Sequence, residues 1–300
     1  MPAHELHGPI LTWYSRHGRA LPWRSEERTP WGVLVSEVML QQTPVARMQP
    51  VWEAWLRRWP RPADLAAASP ADAIRAWGRL GYPRRALNLH RAATAIVQRH
   101  GGDVPRGHAD LLALPGVGEY TAAAVASFAF GDRHPILDTN VRRVLARLHT
   151  GQALPGPSLT AAERRLATQL LPDAPATAAT WGVATMELGA LICTARTPRC
   201  PDCPVRQQCR WRATGHPPYA GPPRRPQRYA GTDRQIRGLL LAALREADGS
   251  VTAADLTAAT PDSALRDPRQ RTRCLAGLVA DGLVEPLPED RFRLPAATGQ

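Results

Sequence analysis

Apolar residues recur along most of this chain with the period of an α-helix. Ile10, Trp13, Tyr14 and His17 stand at i, i+3, i+4 and i+7, as do Trp52, Trp55, Leu56 and Trp59, and again Val141, Val144, Leu145 and Leu148. This spacing predicts an all-α body with the tryptophans packed in its core rather than displayed for base stacking. The segment HPPYAGPPRRPQR, residues 216–228, is too rich in proline to continue a helix and predicts a linker over about 216–231. Beyond it, Ile236, Leu239, Leu240, Ala243 and Leu244 mark one helix and Leu275, Leu278 and Val279 a second, while the stretch from Val284 to Leu294 brackets Glu289-Asp290 as two short strands around a turn. Helices followed by a hairpin predict a small winged-helix-like module over 232–300, a form suited to DNA contact, protein contact or packing.

Composition narrows the partners. Lys plus Arg exceed Asp plus Glu by 38 to 26, a net charge of +12 that favours a polyanion: DNA, RNA or an anionic membrane surface. The longest clear apolar run, Ala122 to Phe130, falls well short of the ~20 residues that span a bilayer, which weakens the membrane reading. The N-terminus carries Glu5 and lacks a basic segment followed by an apolar one, so the expectation is a cytoplasmic chain.

Four of the five cysteines, Cys193, Cys200, Cys203 and Cys209, crowd into CTARTPRCPDCPVRQQC, and in a reducing compartment such a cluster points to metal rather than disulfides. Thiolates suit zinc or an iron-sulfur cluster, and the spacing alone leaves both open, although the wide first gap departs from the paired short gaps of structural zinc. Arg196, Arg199, Arg210 and Arg212 flank the cysteines, so a rigid loop presenting cations to phosphate is a fitting role. Cys274 stands apart and reads as a buried thiol.

A second motif is the turn Pro115-Gly116-Val117-Gly118, set between Leu111, Leu112 and Leu114 and an alanine-rich helix that begins near Tyr120. Gly116 and Gly118 let backbone amides point outward beside a helix N-terminus, a natural phosphate site and the signature of a helix-hairpin-helix. Two carboxylates carry candidate chemistry. Glu37, in GVLVSEVMLQQTP, has Val33, Leu34, Leu40 and Gln41 as helical neighbours, so its face is apolar, its pKa is expected to rise, and it can act as a general acid. Asp138 precedes the helix of Val141 to Leu148, where N-terminal amides are expected to lower its pKa. A protonated and an ionised carboxyl together suit cleavage of a glycosidic bond through an oxocarbenium-like transition state.

With LPWR at 21–24, SEVMLQQT at 36–43, LPGVG at 114–118, LDTNVRRVL at 137–145 and the cysteine spacing in order, residues 1–215 resemble MutY-type adenine DNA glycosylases. The resemblance implies a six-helix barrel over about 29–134 and a cluster domain over about 1–28 plus 135–215 that holds a 4Fe-4S cluster on the four cysteines. It also implies a monomeric, nucleoid-associated bacterial enzyme acting on double-stranded DNA, removing adenine mispaired with 8-oxoguanine or guanine. Glu37 then protonates the adenine, Asp138 stabilises the sugar cation, Tyr120 supports the site, Arg24 lies near the adenine pocket, and Gln41, Gln42 and Tyr82 contact DNA, the last two as wedges. Tyr120 stands where endonuclease III-type relatives carry a lysine, so no Schiff base with the sugar is expected. Two alternatives remain: the same fold acting on thymine opposite guanine, and a damage-binding protein without chemistry. Two departures stand out, since residues 232–300 are too short for the Nudix-like domain many members carry, and Pro83 follows Tyr82.

Overall fold

The computed structural model describes residues 4–222 and 229–296, so residues 223–228 of the expected linker lie outside the described residues. Its helices are α1 (His4–His17), α2 (Pro30–Leu40), α3 (Val45–Arg58), α4 (Pro62–Ala66), α5 (Pro70–Trp77), α6 (Arg84–His100), α7 (His108–Leu112), α8 (Glu119–Phe130), α9 (Thr139–Leu145), α10 (Ala161–Gln169), α11 (Pro175–Leu191), α12 (Arg210–Ala213), α13 (Asp233–Glu246), α14 (Ala253–Ala258) and α15 (Gln270–Ala280). Short strands β1 (Val251–Thr252), β2 (Glu285–Leu287) and β3 (Arg291–Arg293) complete the order. Several starts are written locally: Ser69 with Asp72, Thr160 with Glu163 and Thr252 with Asp255 form reciprocal capping boxes at α5, α10 and α14. Among the described residues no helix is long and apolar enough to cross a membrane.

The chain divides into two compact units, one drawn from Met1–Glu37, Pro105–Ala113 and Val117–Pro223, the other from Val38–Val104, Leu114–Gly116 and Arg224–Gln300. The core of the first is built where α1, α9 and α11 meet: Leu6, Ile10 and Trp13 pack with Val141, Val144, Leu145 and Leu148, and with Trp181, Ala184 and Leu188. Each fully buried Leu or Ile there contributes roughly 1.5–3 kcal/mol. A single π turn, Ala146–Thr150, continues α9 and aims Arg147 inward.

In the second unit Trp55 packs edge-to-face on Trp59 and Trp77, with ring centres 4.7 and 5.8 Å apart, as expected of core aromatics. The C-terminal helices α13, α14 and α15 are joined by a three-stranded antiparallel sheet of order β1-β3-β2, with Val251 opposite Phe292 and Pro286 opposite Phe292 on the other side. Glu289 and Asp290 hold φ of 60° and 50°, the left-handed conformation the tight β2–β3 turn demands. Periodicity missed β1 and α14 because two-residue and six-residue elements hold less than two full periods of pattern. Ile236, Leu240, Leu244, Cys274 and Leu278 form one core with Ala71 and Ile74 of α5 and Leu87 of α6. Arg245 Nε donates to the Ile74 carbonyl at 3.1 Å, and the Ala71 amide donates to the Pro295 carbonyl at 3.1 Å. This module is therefore continuous with the helices beneath it.

Candidate active site and thiolate pocket

Glu37 lies on α2 between Ser36 and Val38, all three buried, and is itself only 5% exposed. Burial pushes its carboxyl up to about 7; the hydrogen bond from the Tyr120 hydroxyl and the Arg24 charge offset this in part, and the Asp138 carboxylate reinforces it. Tyr120, on the first turn of α8, has its own pKa held well above the usual phenol range, by burial first and then by Glu37 and Asp138. Glu37, Tyr120, Asp138 and Arg24 are thus brought together within one unit.

Asp138 is the N-cap of α9. Its Oδ1 accepts from the Val141 amide at 2.7 Å and its Oδ2 from Asn140 Nδ2 at 2.7 Å. The expectation that its pKa falls is corrected: burial raises it, and the Val141 and Asn140 donors with the Arg143 charge recover only part of the shift. The helix that Asp138 begins favours its ionised form, but the burial of the carboxyl, which no local sequence pattern reveals, outweighs it.

Arg24 is held by a residue that sequence reasoning missed. Glu187 on α11 is fully buried and accepts from Arg24 Nη1 at 2.8 Å, from Arg19 Nη2 at 3.0 Å, and from Arg19 Nε. Burial alone would raise Glu187, but hydrogen bonds and charge from Arg19 and Arg24 outweigh it and hold it below the usual carboxylate range. The available signal was a lone acid in an otherwise uncharged seventeen-residue helix.

Arg143 and Arg147 join the Asp138 helix to the cysteine loop. Arg143 donates to Asn140 Oδ1 at 2.9 Å and to the carbonyls of Gly189 at 2.6 Å and Cys193 at 2.7 Å. Arg147, 2% exposed, donates to Cys193 Sγ at 3.2 Å and to the Thr194 carbonyl at 2.8 Å, with its guanidinium 4.3 Å from the Trp211 ring centre. The four half-buried free thiols of Cys193, Cys200, Cys203 and Cys209 line one cavity with Arg147, Leu188 and Trp211. Burial, with repulsion from the other three, pushes the Cys203 thiol up to about 12, so that sulfur becomes a thiolate only against a strong positive centre. Among the described residues no three His, Cys, Asp or Glu side chains converge on a point that would hold a single ion.

In the hairpin, Gly116 has φ of 76°, and a Cβ there would meet Asn88 Cβ at 2.5 Å, so glycine is required. Gly118, the N-cap of α8, has φ of −100° with open space around it, and glycine is not demanded. In the second unit, Gln42 and Tyr82 are exposed at turns with φ of 58° and 49°. Such left-handed backbone costs a side-chain-bearing residue roughly 1–3 kcal/mol and is retained where surroundings enforce it. Gln41, before Gln42, is half-buried.

Residues 35–169 match the family described as HhH-GPD superfamily base excision DNA repair protein. An adenine DNA glycosylase of Mycobacterium tuberculosis is 51% identical over 294 residues, covering 98% of this chain and 95% of that one. The adenine DNA glycosylase of Homo sapiens is 41% identical over 213 residues, covering 68% of this chain and 39% of its own length. Among solved structures, a thermostable thymine-DNA glycosylase superimposes with a TM-score of 0.63 at 27% identity, over 71% of this chain and 97% of that one. An endonuclease III–DNA complex shares the fold, with a TM-score of 0.60 at 23% identity over 71% of this chain and 98% of its own.

Proposed function

Because the chain belongs to the HhH-GPD superfamily of base excision DNA repair proteins, among the adenine DNA glycosylases, we propose that it flips adenine mispaired with 8-oxoguanine or guanine out of double-stranded DNA and hydrolyses its N-glycosidic bond by acid catalysis from Glu37. The observation that carries this reading is the Glu37 carboxyl, buried, hydrogen-bonded by Tyr120 and raised to about 7, so that a proton is available near neutral pH. Glu37 gives that proton to a ring nitrogen of adenine, and the base leaves with the electron pair of the glycosidic bond. Asp138, its carboxylate steadied by Val141 and Asn140, faces the oxocarbenium charge that develops on the sugar. Water then adds to the sugar carbon and leaves an abasic site. Tyr120 supplies a phenol rather than an amine, which supports a monofunctional enzyme without a Schiff base.

Cys193, Cys200, Cys203 and Cys209 would hold a 4Fe-4S cluster. The four sulfurs line one cavity, and four soft thiolate donors around one centre suit such a cluster. When bound, the cluster supplies structural and electrostatic support, and the reaction itself runs on the side chains above. Arg147 and Arg143 connect the cysteine loop to α9 and hence to Asp138. Gly116 and Gly118 at the hairpin meet the phosphate backbone, Gln41, Gln42 and Tyr82 contact the duplex at the lesion, and the enzyme works as a monomer.

The test is a glycosylase assay on duplexes holding A opposite 8-oxoguanine, A opposite G and T opposite G, followed by alkali. Excision from the adenine duplexes is expected; preference for the T–G duplex would overturn the substrate, and a borohydride-trapped adduct in full yield would overturn the monofunctional mechanism.

A further inference from the structure

Arg85 lies in the first turn of α6, three residues after Tyr82, and is 9% exposed. Its Nη1 donates to the carbonyls of Val38 at 3.0 Å, Met39 at 3.3 Å and Gln41, and its Nη2 to the Gly81 carbonyl at 3.0 Å and Thr43 Oγ1 at 3.4 Å. The first group includes closing carbonyls of α2, which lack intrahelical partners and favour a cation. The Gly81 carbonyl belongs to the other turn and also accepts from Trp77 Nε1 at 3.0 Å. The same guanidinium lies 5.3 Å from the Trp77 ring centre and 5.4 Å from that of Tyr82. Burial pushes its pKa down to about 10, which leaves it charged at neutral pH.

Arg85 thus bridges two turns that each carry an exposed residue in left-handed backbone, Gln42 and Tyr82. We propose that Arg85 is a positioning residue for base extrusion: one guanidinium locks the Gln41–Thr43 turn to the Gly81–Tyr82 turn, so that Gln42 and Tyr82 enter the duplex as a single preorganised wedge. This rests on the reading of Gln42 and Tyr82 as wedge residues. Two independently mobile turns would each lose conformational freedom on insertion, whereas turns tied in the folded protein have already lost it. The planar fork of arginine reaches both turns at once; a lysine ammonium is a point donor on a flexible stem and cannot hold this set.

The experiment measures extrusion by the fluorescence of 2-aminopurine placed beside the target adenine, together with single-turnover excision. Two substrates are compared, adenine opposite 8-oxoguanine and adenine opposite an abasic-site analogue, which needs no unpairing. Arg85→Lys and Arg85→Met are expected to lose about 10- to 100-fold on the paired duplex, as when a positioned group is displaced, and less than about threefold on the abasic one. Arg85→Lys keeps the charge and serves where Arg85→Met fails to fold. Equal loss on both duplexes would overturn the proposal, because Arg85 would then be a general structural support. Gln42→Ala and Tyr82→Ala separate the premise from the inference. If they extrude normally, the wedge reading falls and Arg85 with it; if they are impaired while Arg85→Lys is not, the Arg85 proposal falls alone. In the doubly substituted Gln42→Ala, Tyr82→Ala background, Arg85→Lys is expected to cause no further loss of extrusion, and a further tenfold loss would refute action through the wedge.

Discussion

Replacing Glu37 with glutamine keeps an acceptor for the Tyr120 hydroxyl and removes the titrating proton. In the unfolded chain this carboxyl ionises near 4.5, in the folded protein at about 7. Below pH 4.5 it is protonated in both states and contributes nothing to the pH dependence of folding. Between 4.5 and about 7 the unfolded chain releases the proton and the folded protein retains it, so stability falls as pH rises; above 7 the penalty is full and constant. At about 1.4 kcal/mol per tenfold change in proton affinity, the penalty is about 3 kcal/mol. Glu37→Gln is therefore expected to gain about 3 kcal/mol over the parent on going from pH 4 to pH 8, and to lose about 100-fold or more in single-turnover excision. In the parent, excision should fall as pH rises through about 7, where the acid is lost. Urea unfolding of both proteins at matched pH, with the difference taken so that other titrating groups cancel, reads the stability arm. A stability difference that stays flat from pH 4 to pH 8 would show that Glu37 titrates as an exposed carboxyl and would refute the general-acid argument built on its burial.

Other consequences are as direct. Purified protein is expected to absorb broadly at about 400 nm, and Cys203→Ser should lose that absorbance and melt at lower temperature; stoichiometric zinc without iron, by elemental analysis, would refute the cluster. Gly116→Ala forces a Cβ to within 2.5 Å of Asn88 Cβ at φ of 76° and should destabilise the hairpin by roughly 1–3 kcal/mol, read as weaker duplex binding. Gly118→Ala, in open space, is expected to be tolerated by comparison. Truncation after Gly231 removes the residues that share a core with Ala71, Ile74 and Leu87, so the shortened chain should melt earlier and bind a hydrophobic dye; unchanged melting would show the module is dispensable to the fold.

What the linear chain determined is what depends on neighbours within a few residues. Helical periodicity marked the tryptophan helices and α9, the glycine at 116 marked the hairpin, and four closely spaced cysteines marked a thiolate site, because each is a local pattern. The apolar face of α2 was enough to foresee which way the Glu37 pKa moves, since a residue's helical neighbours set much of its burial. The tertiary structure decided whatever required residues distant in sequence to meet. Asp138 moved opposite to its N-cap argument because partner elements cover it, and desolvation by them exceeded what two local donors recover. Glu187 received Arg19 and Arg24 across more than 160 positions, a pairing that no window of sequence contains. Arg85 looks in sequence like one more basic residue opening a helix. Only the fold, by bringing the end of α2 against the start of α6, buries its charge and supplies the five acceptors that hold it there.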